Sequence, residues 1–266
     1  MGRVWDDFLR GSAATCGHAV EIYRDLDDLG ETVASFLAAG FAAGEPALLI
    51  ARAEHADAFS SRLADSGWDP ERLEHDRLLV VADAHATRAE IMDGAMPAPE
   101  AFERVVAALL DRAAALRPGR RVRVFGEIVD ALAAGDQHAA AAAFEELWNA
   151  MARSRRFSLL CGYRLDVFDR EAQAGPLPDI CRVHSHVLPA HDAEGLSRAV
   201  RLALDEVLGR AKAGDVYYVV GNRFRDERLP IAQRVLMWVT ANMPEACDRI
   251  LSSARGHYLH EQGVSA

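Results

Sequence analysis

The sequence is almost without lysine. Its 30 basic residues are arginines with a single exception, Lys212. A lysine that holds nucleotide phosphates, forms a Schiff base or acts as a general base can therefore exist only at that position. This one absence excludes nearly every mechanism that depends on an amine side chain.

The sequence also lacks long apolar runs and any pattern of paired cysteines. No run approaches the roughly eighteen apolar residues that a membrane helix needs. Residues 1–18 carry acidic side chains and have no long apolar core, so the sequence predicts no signal peptide. The four cysteines, at positions 16, 161, 181 and 247, are scattered, which is typical of cytoplasmic thiols. We therefore expect a cytoplasmic protein with no membrane partner.

A stripe of basic residues is missing too. The formal net charge is -10, so a nucleic-acid-binding protein of this composition would have to gather its arginines on one face. The nearest candidate is the short cluster Arg153-Ser-Arg-Arg156. The sequence therefore predicts no direct nucleic-acid partner.

Three catalytic signatures are absent from the sequence. It has neither a Gly-x-Ser-x-Gly elbow nor a Gly-x-Gly-x-x-Gly fingerprint. A nucleotide-binding loop would follow the first predicted strand, but residues 23–32 read YRDLDDLGET. The aspartates Asp25, Asp27 and Asp28 would repel a triphosphate, and the stretch has no lysine. We therefore predict no phosphate loop and no nucleotide hydrolysis.

What is present is a regular alternation of two hydrophobic patterns. Short apolar runs predict strands buried on both faces, and three-and-four spacing predicts helices between them. The predicted strands are 18–23, 46–50, 77–81, 121–125 and 157–161, and the predicted helices are 25–40, 54–66, 87–93, 99–116 and 136–153. This alternation predicts an α/β fold, a mostly parallel sheet with helices on both faces.

The last part of the chain has a different pattern. After a break near Pro189, we predict helices over 193–212, 229–242 and 244–258 and an isolated strand over 216–220. The domain prediction is an N-terminal arm (1–17), an α/β domain (18–188) and a small, mainly helical C-terminal module (189–266).

Parallel sheets place ligands beyond the carboxyl ends of their strands, which draws attention to Glu127. This residue follows the predicted strand 121–125 and Gly126, and a helix is predicted soon after it. A carboxylate in the first turn of a helix is favoured by the helix dipole. Glu127 therefore has three possible roles: a pocket residue, a helix-start residue or, with least support, a general base.

Histidines and cysteines suggest a second kind of site. If residues 179–187 form a strand, His184 and His186 lie on the same face, and with Cys181 they give Cys-x-x-His-x-His. No further ligand has a recognisable spacing, so a pocket or core histidine is favoured over a metal ligand. The same ambiguity applies to His18. Tyr163 ends a strand and is a candidate pocket residue.

Several short blocks are similar, in their order and spacing, to one known family. They are His18 with Tyr23, Gly44-Glu45 before Ala47–Ala51, Glu54-His55, Arg123–Val129, Ala131-Leu132 with Gly135, Phe144–Asn149, Ser158–Tyr163, and Ile180-Cys181 with His184. Together they resemble the MEDS domain, a sensory domain of methanogen and methylotroph regulators such as DcmR, over roughly residues 18–188. The resemblance implies a RecA/KaiC-like fold, sensing of small organic molecules or metabolic state, and bacterial or archaeal regulation of transcription or signalling.

These observations give three hypotheses. The first is a non-catalytic sensor that binds a small organic molecule or metabolite. The second is a protein-interaction module that binds a signalling protein of a kinase or anti-sigma system, and the third is a residual nucleotide hydrolase. The predicted ligand-binding residues are His18, Tyr23, Glu127, Tyr163 and His184. We predict no catalytic residue, no metal and no cofactor.

Overall fold

The computed structural model describes residues 8, 17–135, 137–188, 192–224 and 228–261, without the side chains of residues 70 and 74. Most of the predicted N-terminal arm, including Cys16, lies outside the described residues. The chain divides into two compact units. Unit 1 comprises Met1–Arg164 and Val183–His186, and unit 2 comprises Leu165–Arg182 and Val187–Ala266.

The α/β architecture predicted from the sequence is confirmed. The strands are β1 (His18–Tyr23), β2 (Ala47–Ala51), β3 (Leu79–Asp83), β4 (Met92–Asp93), β5 (Met96–Pro97), β6 (Val122–Gly126), β7 (Phe157–Arg164) and β8 (His186–Leu188). In the described part of the chain, the main sheet has the order β3-β2-β6-β7-β1-β8, and its described pairings are parallel. Strands β4 and β5 form a separate antiparallel pair. The relation to KaiC-like ATPases stays a prediction.

Helices lie between the strands of unit 1. They are α1 (Leu26–Ala42), α2 (Ala53–Asp65), α3 (Pro70–His75), α4 (Ala84–Ile91), α5 (Pro99–Leu116), α6 (Ile128–Ala134) and α7 (His138–Met151). All of them except α3 and α6 overlap ranges predicted from the spacing. Helix α1 begins where expected because the Asp25 side chain accepts a hydrogen bond of 3.0 Å from the backbone N of Asp28. Its buried face includes Leu29, Val33 and Phe36.

A buried ion-pair network joins α1 to the amino ends of the strands. Arg123 Nε lies 2.7 Å from Glu45 Oε2, and Arg121 Nη2 lies 3.0 Å from Glu45 Oε1. The Arg123 guanidinium lies over the Phe36 ring, 4.9 Å from its centroid. Gly40 leaves room for this arginine, because a Cβ there would be 2.6 Å from Arg123 Cγ. These buried charges are therefore paired with one another within the core.

Unit 2 is helical, as predicted for the C-terminal module. Its helices are α8 (Arg170–Ala174), α9 (Pro176–Val183, ending in unit 1), α10 (Ala193–Leu208), α11 (Arg210–Arg223), α12 (Ile231–Asn242) and α13 (Pro244–Glu261). In its core, the rings of Phe168 and Tyr258 lie 5.5 Å apart, and Gln233 Nε2 donates to Gln173 Oε1 over 3.1 Å. Residues 165–182 thus pack with this unit. The domain boundaries at residues 17 and 188 stay predictions.

Two local predictions were wrong. The strand predicted over 216–220 lies within α11, where Ala213, Val216 and Val220 form one buried helical face. The extended segment considered over 179–187 is helical as far as Val183. In the second segment, the buried helical face includes Leu177, Ile180 and Cys181. None of the helices in the described ranges has the length and apolar character needed to cross a bilayer.

Candidate functional site

The strand order creates a switch point between β2 and β6. The chain leaves β2 towards β3 on one side of the sheet and leaves β6 towards β7 on the other. Such divergence opens a crevice beyond the carboxyl ends of two neighbouring strands, where α/β proteins bind ligands. Arg52 directly follows β2 and Glu127 directly follows β6. The backbone N of Glu127 donates to Ile50 O over 3.2 Å, which holds the two strand ends together.

The Glu127 side chain holds the beginning of helix α2. Its Oε1 accepts a hydrogen bond from the backbone N of Arg52, which is the N-cap residue of α2. Its Oε2 lies 3.2 Å from Arg52 Nη2 and 2.6 Å from His55 Nδ1. Glu127 is also the N-cap residue of α6, but its side chain makes no capping bond there. Of its three predicted roles, the helix-start position is observed, and the carboxylate serves the neighbouring helix.

Asp130 connects the same arginine to two further strand ends. Its Oδ2 accepts hydrogen bonds from Arg52 Nη2 (2.8 Å) and from the Tyr23 hydroxyl (2.9 Å). Its Oδ1 accepts a hydrogen bond from the backbone N of Arg164 at 2.7 Å. We call Tyr23, Arg52, His55, Glu127 and Asp130 the edge cluster. It joins the carboxyl ends of β1, β2, β6 and β7.

The charges of the edge cluster depend on one another. Burial raises the pKa of the Tyr23 hydroxyl, and the negative charge of Asp130 raises it further, so the hydroxyl stays a donor. Burial by itself would lower the pKa of Arg52, but the charges of Glu127 and Asp130 outweigh it and the pKa is raised. The guanidinium is therefore held as a cation between two carboxylates.

The edge cluster has access to space and solvent. Gly126, the last residue of β6, is buried, yet a Cβ built on it would meet no other atom within 4 Å. The side chains of Arg52 and His55 are 20% and 14% exposed, whereas that of Glu127 is 1% exposed. A ligand at this edge would therefore reach the arginine and the histidine first.

A second group of polar side chains lies inside unit 1, around Glu145 on helix α7. His18 Nε2 lies 3.1 Å from Glu145 Oε2, and His184 Nε2 lies 3.3 Å from Glu145 Oε1. The Tyr163 hydroxyl donates to Glu145 Oε1 over 2.9 Å. Cys161 Sγ lies 3.4 Å from His18 Nε2 and 3.7 Å from Glu145 Oε2. We call these five residues the inner cluster, and all of them are buried.

The His18 ring is oriented by Asn149. His18 Nδ1 lies 2.9 Å from Asn149 Oδ1, and Asn149 Nδ2 donates to Val183 O over 3.0 Å. Because the amide nitrogen is committed to a carbonyl, the amide oxygen faces the imidazole as an acceptor. Nδ1 of His18 therefore carries a proton, and Nε2 faces the inner cluster.

Burial and the neighbouring side chains set the pKa values of Glu145, Cys161 and Tyr163 in the inner cluster. Burial by itself would raise the pKa of Glu145, but His184 and His18 outweigh it and hold the pKa of this carboxyl below its usual range. Burial, and then the charge of Glu145, raises the pKa of the Cys161 thiol. The same two causes raise the pKa of the Tyr163 hydroxyl. Glu145 therefore accepts hydrogen bonds as a carboxylate, and the Cys161 thiol and the Tyr163 hydroxyl donate them.

The inner cluster brings together four groups able to bind a metal ion. One ligand atom from each of His18, Glu145, Cys161 and His184 lies within 4.8 Å of all the others. Only His184 of the Cys-x-x-His-x-His motif belongs to this group. His186 Nδ1 instead lies 2.8 Å from the neighbouring Ser185 hydroxyl.

The five predicted site residues are divided between the two clusters. Tyr23 and Glu127 belong to the edge cluster, and His18, Tyr163 and His184 belong to the inner cluster. The other five cluster members, Arg52, His55, Asp130, Glu145 and Cys161, were not predicted as site residues from the sequence. Arg52 could have been predicted as a site residue because it directly follows a strand. Glu145 could also have been predicted, because it lies on the apolar face of α7 with Phe144 and Trp148, where a charged residue needs buried partners.

Unit 2 contains a separate cavity with a mainly apolar lining. Its volume is about 650 Å³, which falls within the size range of small-molecule pockets. Its lining includes Gln173, Phe224, Leu229, Met237 and Trp238.

The fold is a parallel α/β domain with charged side chains at the carboxyl ends of its strands. A family model described as MEDS, the MEthanogen/methylotroph, DcmR Sensory domain, matches residues 17–185. The chain belongs to the MEDS family, and its role is sensory or regulatory. The comparison with curated proteins gave no match.

Proposed function

We propose that this chain is a non-catalytic sensor whose MEDS domain binds a small organic ligand at the edge cluster. The observation that carries the proposal is the convergence of Arg52, His55, Glu127 and Asp130 at the switch point of the sheet, beside the open space at Gly126. Ligands of parallel α/β domains bind at this position in the fold.

The charges of the edge cluster favour a ligand that carries a hydrogen-bond donor or a cationic group. The two carboxylates outnumber the single guanidinium, and each of them accepts a hydrogen bond from Arg52. A ligand amine or amide would compete with Arg52 for these carboxylates. An anionic ligand would have to separate the arginine from both of its partners.

The signal follows from what the edge cluster holds in place. Glu127 fixes the beginning of α2, and Asp130 joins Tyr23 to the backbone of Arg164. A ligand that binds one arrangement of these groups more tightly than another shifts the population between the arrangements. The starting positions of α2 and α6 would change with that shift.

Nucleotide hydrolysis is not part of the proposal. Only Arg24 and Asp25 separate β1 from α1, and the Asp25 side chain caps the helix. This connection leaves no length for a phosphate-binding loop. The partners of Glu127 in the described residues are an arginine and a histidine, neither of which is a nucleophile here.

The test is a thermal-shift screen of small amines, amides, carboxylic acids and halogenated hydrocarbons with the full chain and the Gly126→Val variant. We expect a group of related compounds to raise the Tm of the wild-type chain and to have little effect on the variant, because the valine fills the open space. The control is Gly256→Ala, on the exposed face of α13, which should respond as the wild type does. Equal stabilisation of all three proteins would contradict binding at the edge cluster. No stabilisation by any compound, together with direct binding of a signalling protein, would favour the protein-interaction hypothesis.

The cavity of unit 2 gives a second candidate position. An apolar ligand would fit a lining that contains Phe224, Met237 and Trp238. In that case Trp238→Ala would abolish the thermal shift and Gly126→Val would leave it unchanged.

A further inference from the structure

We propose that His18, Glu145, Cys161 and His184 form a closed site for a divalent metal ion of the zinc class. This inference concerns the inner cluster alone and does not depend on a ligand at the edge cluster. Four side chains of types that bind zinc, namely two imidazoles, a carboxylate and a thiol, lie within reach of a single point.

The spacing of the four ligand atoms matches a tetrahedral site. Bond lengths of about 2.0–2.1 Å to nitrogen or oxygen and about 2.3 Å to sulfur imply separations of roughly 3.3–3.6 Å between ligand atoms. The observed separations are 3.1 Å from His18 Nε2 to Glu145 Oε2 and 3.4 Å from His18 Nε2 to Cys161 Sγ. Glu145 Oε2 lies 3.7 Å from Cys161 Sγ, and the other carboxylate oxygen, Oε1, lies 3.3 Å from His184 Nε2. One ligand atom from each of the four residues lies within 4.8 Å of all the others. Small side-chain movements would centre all four on one ion.

The lone pairs of the cluster converge. Asn149 fixes a proton of His18 on Nδ1, so that in the neutral ring Nε2 faces the carboxylate of Glu145 as one acceptor facing another. Two acceptors 3.1 Å apart require either a proton or a cation between them. A metal ion satisfies His18, Glu145 and Cys161 together.

The charges of a zinc complex balance in this buried position. A divalent ion with the Glu145 carboxylate and the Cys161 thiolate has no net charge, and the two imidazoles bind as neutral ligands. On binding, the Cys161 thiol loses its proton to solvent and sulfur forms a bond to the metal. A neutral complex avoids the large free-energy cost of an unpaired charge in the core.

Outer contacts hold two of the ligands in orientation, as at known metal sites. Asn149 accepts from His18 Nδ1, and Tyr163 donates to the second oxygen of Glu145. Such bonds fix the tautomer of a ligating histidine and the rotamer of a ligating carboxylate. Four protein ligands leave no open position, which is typical of structural zinc rather than catalytic zinc.

The site would link segments that lie far apart in the sequence. His18 is on β1, Glu145 on α7 and Cys161 on β7, while His184 precedes β8. An ion bound by the folded chain alone raises the free energy of unfolding by mass action. We therefore expect the ion to stabilise unit 1.

The experiment measures metal content and the spectrum of a cobalt derivative of the full chain. After removal of metals with a chelator, titration with Zn²⁺ should give about one bound ion per chain and raise the Tm by more than about 5 °C. Titration with Co²⁺ should give the intense visible bands of a tetrahedral site and a near-ultraviolet sulfur-to-cobalt charge-transfer band. Absence of tight binding, or an octahedral spectrum without the charge-transfer band, would overturn the proposal.

Matched variants locate the site. Cys161→Ser should abolish the charge-transfer band, and His18→Gln should weaken Zn²⁺ binding at least tenfold. The controls Cys181→Ser and His186→Gln alter the motif that the sequence suggested and should leave the stoichiometry and the spectrum unchanged. Loss of the spectrum in these controls, with retention in Cys161→Ser, would overturn the assignment. If Cys161→Ser or His18→Gln does not fold, the cobalt spectra of the wild type and the two controls still decide between the two sets of ligands.

Discussion

Glu21 is a buried carboxyl group on strand β1. The Thr32 hydroxyl donates to Glu21 Oε1 over 2.9 Å, whereas Oε2 meets no hydrogen-bonding partner in the described residues. Burial raises the pKa of this carboxyl from its ordinary value of 4.5 to about 8, against the opposing effect of Thr32. The folded state therefore holds this proton over a pH range in which the unfolded chain has lost it.

Glu21 makes stability fall as the pH rises. Its contribution is fully present below pH 4.5 and is lost as the pH rises through about 8. Glutamine has the same shape as glutamate but does not ionise. In the wild type we expect the free energy of unfolding to fall by on the order of a few kcal/mol between pH 4.5 and pH 8, and in Glu21→Gln we expect this fall to be absent. Urea unfolding at pH 5 and at pH 8.5 measures the difference. Glu103→Gln, on the exposed face of α5, is the control and should follow the wild type. A Glu21→Gln variant with the same pH slope as the wild type would refute this role.

Arg52 and Glu127 should be strongly coupled because both are largely withdrawn from solvent. Arg52→Gln, Glu127→Gln and the double variant form a cycle that isolates their interaction. We expect a coupling free energy of about 1–3 kcal/mol from urea unfolding, because either single change leaves a partly buried charge without one of its partners. Arg62 and Asp27 lie 2.7 Å apart with Asp27 89% exposed, and their cycle should give below about 0.5 kcal/mol. Equal coupling in the two pairs would contradict the burial argument.

At the scale of elements, helix α1 is positioned against the sheet by a contact that only glycine permits. A Cβ on Gly40 would lie 2.6 Å from Arg123 Cγ, and that arginine is fixed by Glu45 and by the Phe36 ring. We expect Gly40→Ala to lower the free energy of unfolding by about 1–3 kcal/mol through overpacking. Gly30, in the same helix, has its nearest neighbour at 3.8 Å, and Gly30→Ala should be neutral or stabilising by up to about 1 kcal/mol. Thermal melts of the two variants side by side test this, and a harmless Gly40→Ala would show that Arg123 can move away.

Strands β1, β2, β6 and β7 were predictable from the sequence because they are buried on both faces. Strand β2, Ala47–Ala51, reads as an unbroken apolar run for that reason. The expectation that the strand predicted over 77–81 is also buried on both faces was wrong, because Val81 in β3 is 52% exposed. Residues 216–220 misled because their β-branched and aromatic side chains favour a strand. In the structure, Val216 and Val220 lie four residues apart on the buried face of α11. Tertiary packing decided between two patterns that the local sequence allows.

The site was predictable only in part. Glu127 was predicted because ligands bind beyond the carboxyl ends of parallel strands, and the same rule would have pointed to Arg52. The inner cluster brings His18 together with Cys161, 143 residues further along the chain, and the direction of each side chain is set by packing. Glu145 could have been recognised from the sequence, because it is a carboxylate in the apolar stripe of α7. Only the folded structure shows that His18 and His184 both contact this carboxylate.

At the scale of the whole molecule, the chain combines a sensory α/β unit with a helical unit. The family match covers residues 17–185, and residues 165–182 pack within unit 2. In the proposed function, the edge cluster is the element through which ligand binding would change the sensory unit, because it holds four strand ends and the beginning of α2.

The most direct test of a ligand at the edge cluster is hydrogen–deuterium exchange of the full chain with and without the best stabilising compound. Binding at the edge cluster predicts increased protection in residues 23–26, 51–55 and 126–131, with the rest of the sheet unchanged. Protection confined to residues 223–224 and 229–242, which border the cavity of unit 2, would contradict the account.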